Sequence, residues 1–154
     1  IVASSFLYDR AKAGMNDGLL GDWSAAGGSF YYTLVLATYV PNETHSMMSQ
    51  LSGYELSSPT HTGGYNGTIR ASMTGRSVFV NITSHQAEFR ASAVCYTALS
   101  AGTAAAGVVL KQAGSDGNSP VVAYVSTGGF PLVTNLGNVT ISFYASGVFQ
   151  LTDV

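Results

Sequence analysis

Apolar and polar positions alternate with two different periods along this chain. At the start, Leu7, Ala11, Met15 and Leu19 recur every fourth residue, with Phe6 and Gly14 beside them. Asp9, Arg10, Lys12, Asn16 and Asp17 fall mostly on the opposite side. This spacing predicts an amphipathic helix within residues 1–20, capped by Ser4 or Ser5 and stopped at Gly18 or Gly21. Gly14 and Gly18 each cost about 1 kcal/mol relative to Ala inside a helix, so the helix needs a surface to dock on.

Beyond Trp23 and the Gly-rich "SAAGGS", the period shortens. "FYYTLVLATYV" (Phe30 to Val40) is aromatic and β-branched, and predicts a strand with Tyr32, Leu34 and Leu36 on one side. "PNETHSMMSQL" then predicts a second short helix, capped by Asn42 or Thr44, with Met47, Met48 and Leu51 inward. "SGYELSSPTHTGGYNG" has the Gly, Pro and Ser density of a long surface loop. "TIRASM" and "RSVFVNIT" follow as strands separated by a hairpin-like break at Thr74-Gly75. In the second, Val78, Val80 and Ile82 alternate with Phe79 and Asn81, the pattern of a half-buried strand. "AEFRASAVCYTAL" is strand material broken near Arg90, and "SAGTAAAG" is a small-residue connector with no preference. "VVLKQ", "SPVVAYVST", "NVTISFYAS" and "VFQLT" complete the strands, joined by Gly- and Asn-rich turns.

The expected fold is therefore mainly β, an antiparallel sandwich or barrel-like sheet, with a short N-terminal helix and a second short helix. An α+β arrangement also fits. One domain spans residues 1–154, with the helix in 1–20 and the β-rich body in 30–154.

Composition changes this picture in one respect. Charged residues make up only 9% of the chain, against about 25% in soluble domains. Either Ser, Thr, Asn and Gly wet the surface, or much of that surface is hidden against other protein. The net charge of −2 and six scattered Lys and Arg residues argue against nucleic-acid binding. No apolar run approaches the ~18 residues of a membrane helix. The first residues do not resemble a secretory signal, because Asp9, Arg10 and Lys12 interrupt them. A single cysteine, Cys95, rules out an internal disulfide framework, and its apolar neighbours predict a buried structural thiol.

Chemistry is hard to find. His45, His61 and His85 share no metal-ligand spacing with one another or with a carboxylate. "GSDGN" lacks the spaced acidic ligands of a calcium loop, and no nucleophile elbow or phosphate-binding loop occurs. The Asn-x-Thr triplets at Asn42, Asn66, Asn81 and Asn138 reflect Ser, Thr and Asn richness, though they also fit a glycosylated, secreted protein. The expectation is a protein without catalytic residues, metal or cofactor.

The order of the segments resembles a family of small virion structural proteins of tailed bacteriophages. "SSFLYDRAKAGMNDGLLGDW" looks like that family's N-terminal helix leading to a Trp. "YTLVLATYVPNETHSMMSQLSGYE" is similar to its strand, Pro-Asn turn, Thr-His pair and short helix. "ASMTGRSV" resembles its Thr-Gly-Lys/Arg hairpin, and the run from Val109 to Leu151 its C-terminal strands. Residues from about Gln86 to Gly107 depart from the pattern. The resemblance implies a non-enzymatic virion component, assembled in the bacterial cytoplasm, whose partners are the major capsid protein, other virion proteins and further copies of itself. Two placements follow, a decoration or cement protein on the capsid shell and a tail, neck or fibre-associated subunit. A carbohydrate-binding β-sandwich is the alternative from another class. Phe6, Leu7, Ala11, Met15, Leu19 and Trp23 are the candidate interface residues.

Overall fold

The computed structural model describes residues 5–25, 29–56 and 70–152. The Ser4 cap, most of the Gly- and Ser-rich loop, His61 and the Asn66 triplet lie outside the described residues. The fold is mainly β: the described residues form eleven strands in antiparallel sheets, one α-helix and short 3-10 turns.

The largest sheet has six strands, β1 (Phe6–Leu7), β2 (Phe30–Leu36), β3 (Arg70–Ser72), β7 (Gly102–Lys111), β8 (Val121–Val125) and β9 (Leu132–Thr134). The order is β1-β8-β7-β2-β3, with β9 pairing the first residues of β7. Both faces of β2 and β8 are largely buried, which is why their sequences are continuous runs of aromatic and branched residues. Two smaller sheets complete the body. One pairs β6 (Val94–Tyr96) with β10 (Val139–Ile141), and the other has the order β11-β5-β4, from Phe149–Thr152, Gln86–Arg90 and Ser77–Asn81.

The helix α1 (Asp9–Asp17) is shorter than the sequence pattern suggests and lies against β8. Phe6 and Leu7 pair instead with Tyr124 and Ala123, and the Tyr8 N–H donates to Val122 O at 3.0 Å. Ser5 caps nothing; its hydroxyl accepts from the Ser126 N–H at 3.0 Å. Extending β8 satisfies several backbone groups where one cap would satisfy a single donor. The helix does stop at Gly18, with φ of +78°. Because the chain turns there, Leu20 is driven into the core and Leu19 only half-buried. Lys111 Nζ donates to Leu19 O at 3.1 Å and anchors this exit. The second expected helix is a single 3-10 turn, Met48–Leu51, with Met48 and Leu51 fully buried.

Three local expectations are corrected. "GTAAAG" is no connector but the first half of β7, the longest strand. Its small residues make room for neighbours: a Cβ on Gly107 would overlap the hydroxyl and ring of Tyr32 across the sheet. Thr74-Gly75 is no hairpin, because β3 pairs with β2 while β4 pairs with β5, so this turn carries the chain between sheets. Arg76 fixes that crossing, with its Nε donating to Trp23 O at 2.8 Å and its other nitrogens to Ala25 O and Met73 O. Finally, Cys95 is exposed; Val94 and Tyr96 point inward, and strand alternation places Cys95 outward beside Thr140.

One continuous hydrophobic cluster runs from Tyr8 through Trp23, Tyr32, Tyr96 and Val108 to Val148. Trp23 joins the sheets, with its ring 4.8 Å from Phe30 of β2, 5.2 Å from Phe149 of β11 and 6.1 Å from Phe89 of β5.

Candidate interaction surface

The six residues expected at an interface do not form one patch. Ala11 and Trp23 are buried by the chain's own residues. Phe6, Leu7, Met15 and Leu19 are half-buried, with the Phe6 ring stacked on Tyr124 at 5.1 Å. The helical stripe is thus used within the molecule, on β8 and the core.

Polar groups inside the fold serve structure. Arg70, at the start of β3, has no exposed side-chain surface and binds two carboxylates. Its Nε and Nη2 reach Glu55 at 2.8 and 2.5 Å, and its Nη1 and Nη2 reach Asp116 at 2.8 and 3.1 Å. Glu55 Oε2 also accepts from Thr33 Oγ1 at 2.8 Å. This cluster binds β2, β3 and the 3-10 turn before β8 to one another. Nothing in the spacing of residues 33, 55, 70 and 116 reveals it, because the contacts are made across the sheet. A second network joins the Tyr8, Tyr39 and His45 side chains, with Tyr8 Oη 3.2 Å from Tyr39 Oη and Tyr39 Oη 2.9 Å from His45 Nδ1. Burial, then Tyr39, pushes the Tyr8 hydroxyl well above the usual tyrosine range. Such hydroxyls stay protonated and hold the helix to the end of β2.

A cleft of about 360 Å³ opens between β1, β8 and the segment 141–152. Phe6, Tyr124, Phe143 and Tyr144 contribute its aromatic walls, and no charged side chain lines it. Among the described residues, the buried Tyr32 hydroxyl beside it has no hydrogen-bond partner. Among the described residues, no group of three or more His, Cys, Asp or Glu converges as a metal site requires. No helix among them is long and apolar enough to cross a membrane.

Among the described residues, several exposed apolar side chains gather on the sheet β11-β5-β4. Val78, Val80 and Ile82 were expected to be half-buried by alternation, yet they are 44%, 65% and 80% exposed. Phe79, on the other face, is 46% exposed. Cross-strand register puts Val78 opposite Phe89 and Val80 opposite Ala87, and Leu151 opposite Ala87 from the far side. This apolar face therefore touches the core at Phe89 and Phe149 and overhangs it at Val80 and Leu151. The reverse face carries Glu88 and Arg90, 2.7 Å apart, with the Arg90 guanidinium over the Phe79 ring at 4.2 Å. The Glu88 carboxyl is held below its ordinary range by Arg90 first and Asn81 second. Alternation in the sequence correctly marks the apolar side. Only the structure reveals how much of it the described residues leave exposed, at Val80 and Ile82 above all.

No family model, no curated protein and no solved structure matches this chain.

Proposed function

We propose that this protein is a non-enzymatic structural subunit of a tailed-bacteriophage particle, seated on the capsid shell as a decoration or cement protein. The observation that carries this reading is the overhanging apolar sheet β11-β5-β4, whose outer strand Ser77–Asn81 bears no charge and stays 44%, 46% and 65% exposed at Val78, Phe79 and Val80. Such a surface is expensive to leave in water and is suited to burial against other protein. The resemblance of the motif order to small virion proteins and the 9% charged fraction support the same reading. In this role the tyrosine network, the Arg70 cluster and the Trp23 junction make a rigid body, and the apolar sheet meets the shell. The partners are the major capsid protein and other virion proteins, and the site of action is the virion.

Copy number in purified particles of the phage encoding the chain tests the proposal, read by quantitative mass spectrometry against the major capsid protein. A shell protein is present in numbers on the order of hundreds, as the repeated lattice of a capsid dictates. About a dozen copies would move it to the tail or neck, and absence from particles would overturn the structural reading altogether.

A further inference from the structure

We infer that the free edge of β4 pairs antiparallel with β4 of a second copy, about a two-fold axis passing at Phe79. This rests on the reading of the protein as an assembly subunit and names the partner at that surface. Among the described residues, β4 is hydrogen-bonded on one side only, to β5, in an unbroken register from Ser77↔Arg90 to Asn81↔Gln86. Exposed edge strands are normally blunted by Lys, Pro, a bulge or an inward-pointing charge. Ser77-Val78-Phe79-Val80-Asn81 has none of these.

The choice of a second copy over a foreign strand comes from the strand's own symmetry. Read in either direction from Phe79, the edge presents Val, then a small polar residue: Val78 and Ser77 one way, Val80 and Asn81 the other. A two-fold axis at Phe79 therefore sets Val78 against Val80, Ser77 against Asn81, and Phe79 against itself. Two-fold interfaces demand this self-complementarity, because one patch must match its own image. Charge agrees. The edge strand carries no charge on either copy; Arg76, just before it, donates its guanidinium to the carbonyls of Trp23, Ala25 and Met73, and Glu88 and Arg90 on β5 neutralise each other. An acidic or basic partner would find nothing there to pair with. Pairing keeps Val78, Val80 and Leu151 of both copies on one side, so a six-stranded sheet results with a doubled apolar face for the shell.

Native mass spectrometry of the purified full chain should give twice the 16.0 kDa chain mass. Phe79→Lys and Phe79→Glu each bring like charges together on the axis, and each should run as a monomer with unchanged circular dichroism. Mixing the two should restore the dimer. Register is read separately, in a Cys95→Ser background under mild oxidation. Val78→Cys mixed with Val80→Cys should cross-link faster than either variant alone. A monomeric wild type, charge variants that remain dimeric, or fastest cross-linking within Val78→Cys alone would each overturn the pairing. The two proposals fail separately. A monomer found in hundreds of copies per particle ends the pairing and leaves the shell reading intact, whereas a dimer absent from particles does the reverse.

Discussion

Replacing Arg70 with Met should be among the most damaging single changes in this protein. The Arg70 side chain is wholly buried, that of Glu55 is 4% exposed and that of Asp116 is 15% exposed. Methionine keeps much of the side-chain volume, so the loss is electrostatic rather than a cavity. It leaves the Glu55 carboxylate in a dry site with Thr33 donating at 2.8 Å and no cation beside it. Removing one partner of a buried pair costs about 3–5 kcal/mol, a large share of a typical total near 5–15 kcal/mol. For a chain of this size the midpoint of thermal unfolding should fall by roughly 6–20 °C. Chemical and thermal denaturation at neutral pH measure this directly. The double variant Arg70→Met with Glu55→Leu should recover part of the loss, since two apolar residues leave less uncompensated charge. A loss below about 1 kcal/mol, the scale of a surface ion pair, would refute the claim that this cluster is dry and structurally required.

Four further outcomes follow from named contacts. Tyr32→Phe removes a buried hydroxyl with no partner among the described residues and should raise stability by about 1 kcal/mol in urea denaturation. Gly107→Ala should lower it by about 1–3 kcal/mol, because the new methyl displaces the Tyr32 ring from its place over β7. Thiol titration of the native protein with a chromogenic disulfide should report Cys95 without denaturant, since its side chain faces solvent beside Thr140. Glu88, held below the ordinary glutamate range by Arg90 and Asn81, stabilises the fold above that range, and the contribution is lost as pH falls through its lowered pKa. Thermal melts taken across roughly pH 2–6 should therefore show an acid limb that Glu88→Gln flattens.

Much of the local structure is legible in the sequence. The β-branched and aromatic runs at Phe30–Leu36 and Val121–Val125 are strands, and the helix stops at Gly18. These features depend on neighbours within a few residues, where backbone conformation and side-chain period decide. The mainly antiparallel β character follows from the same signals. The sequence is less informative where conformational preference is weak and a distant partner decides. Ala104-Ala105-Ala106-Gly107 has little preference for a strand, yet it lies between β2 on one edge and β8 and β9 on the other. There its missing side-chain bulk becomes the space for Tyr32.

The chain by itself determined that runs such as Phe30–Leu36 and Val121–Val125 extend, that the helix ends at a glycine and that Val78 and Val80 share a side. Only the tertiary structure decided which of those sides meets protein. Period two assigns Val78 and Val80 to one face and Cys95 opposite to Val94 and Tyr96, but it is indifferent to what lies across from each face. Cys95 was expected inside and stands outside; Val80 was expected half-buried and is mostly exposed. Coverage depends on where residues far away in sequence bring their sheets, and among the described residues the apolar side of β4 is left mostly exposed at Val80.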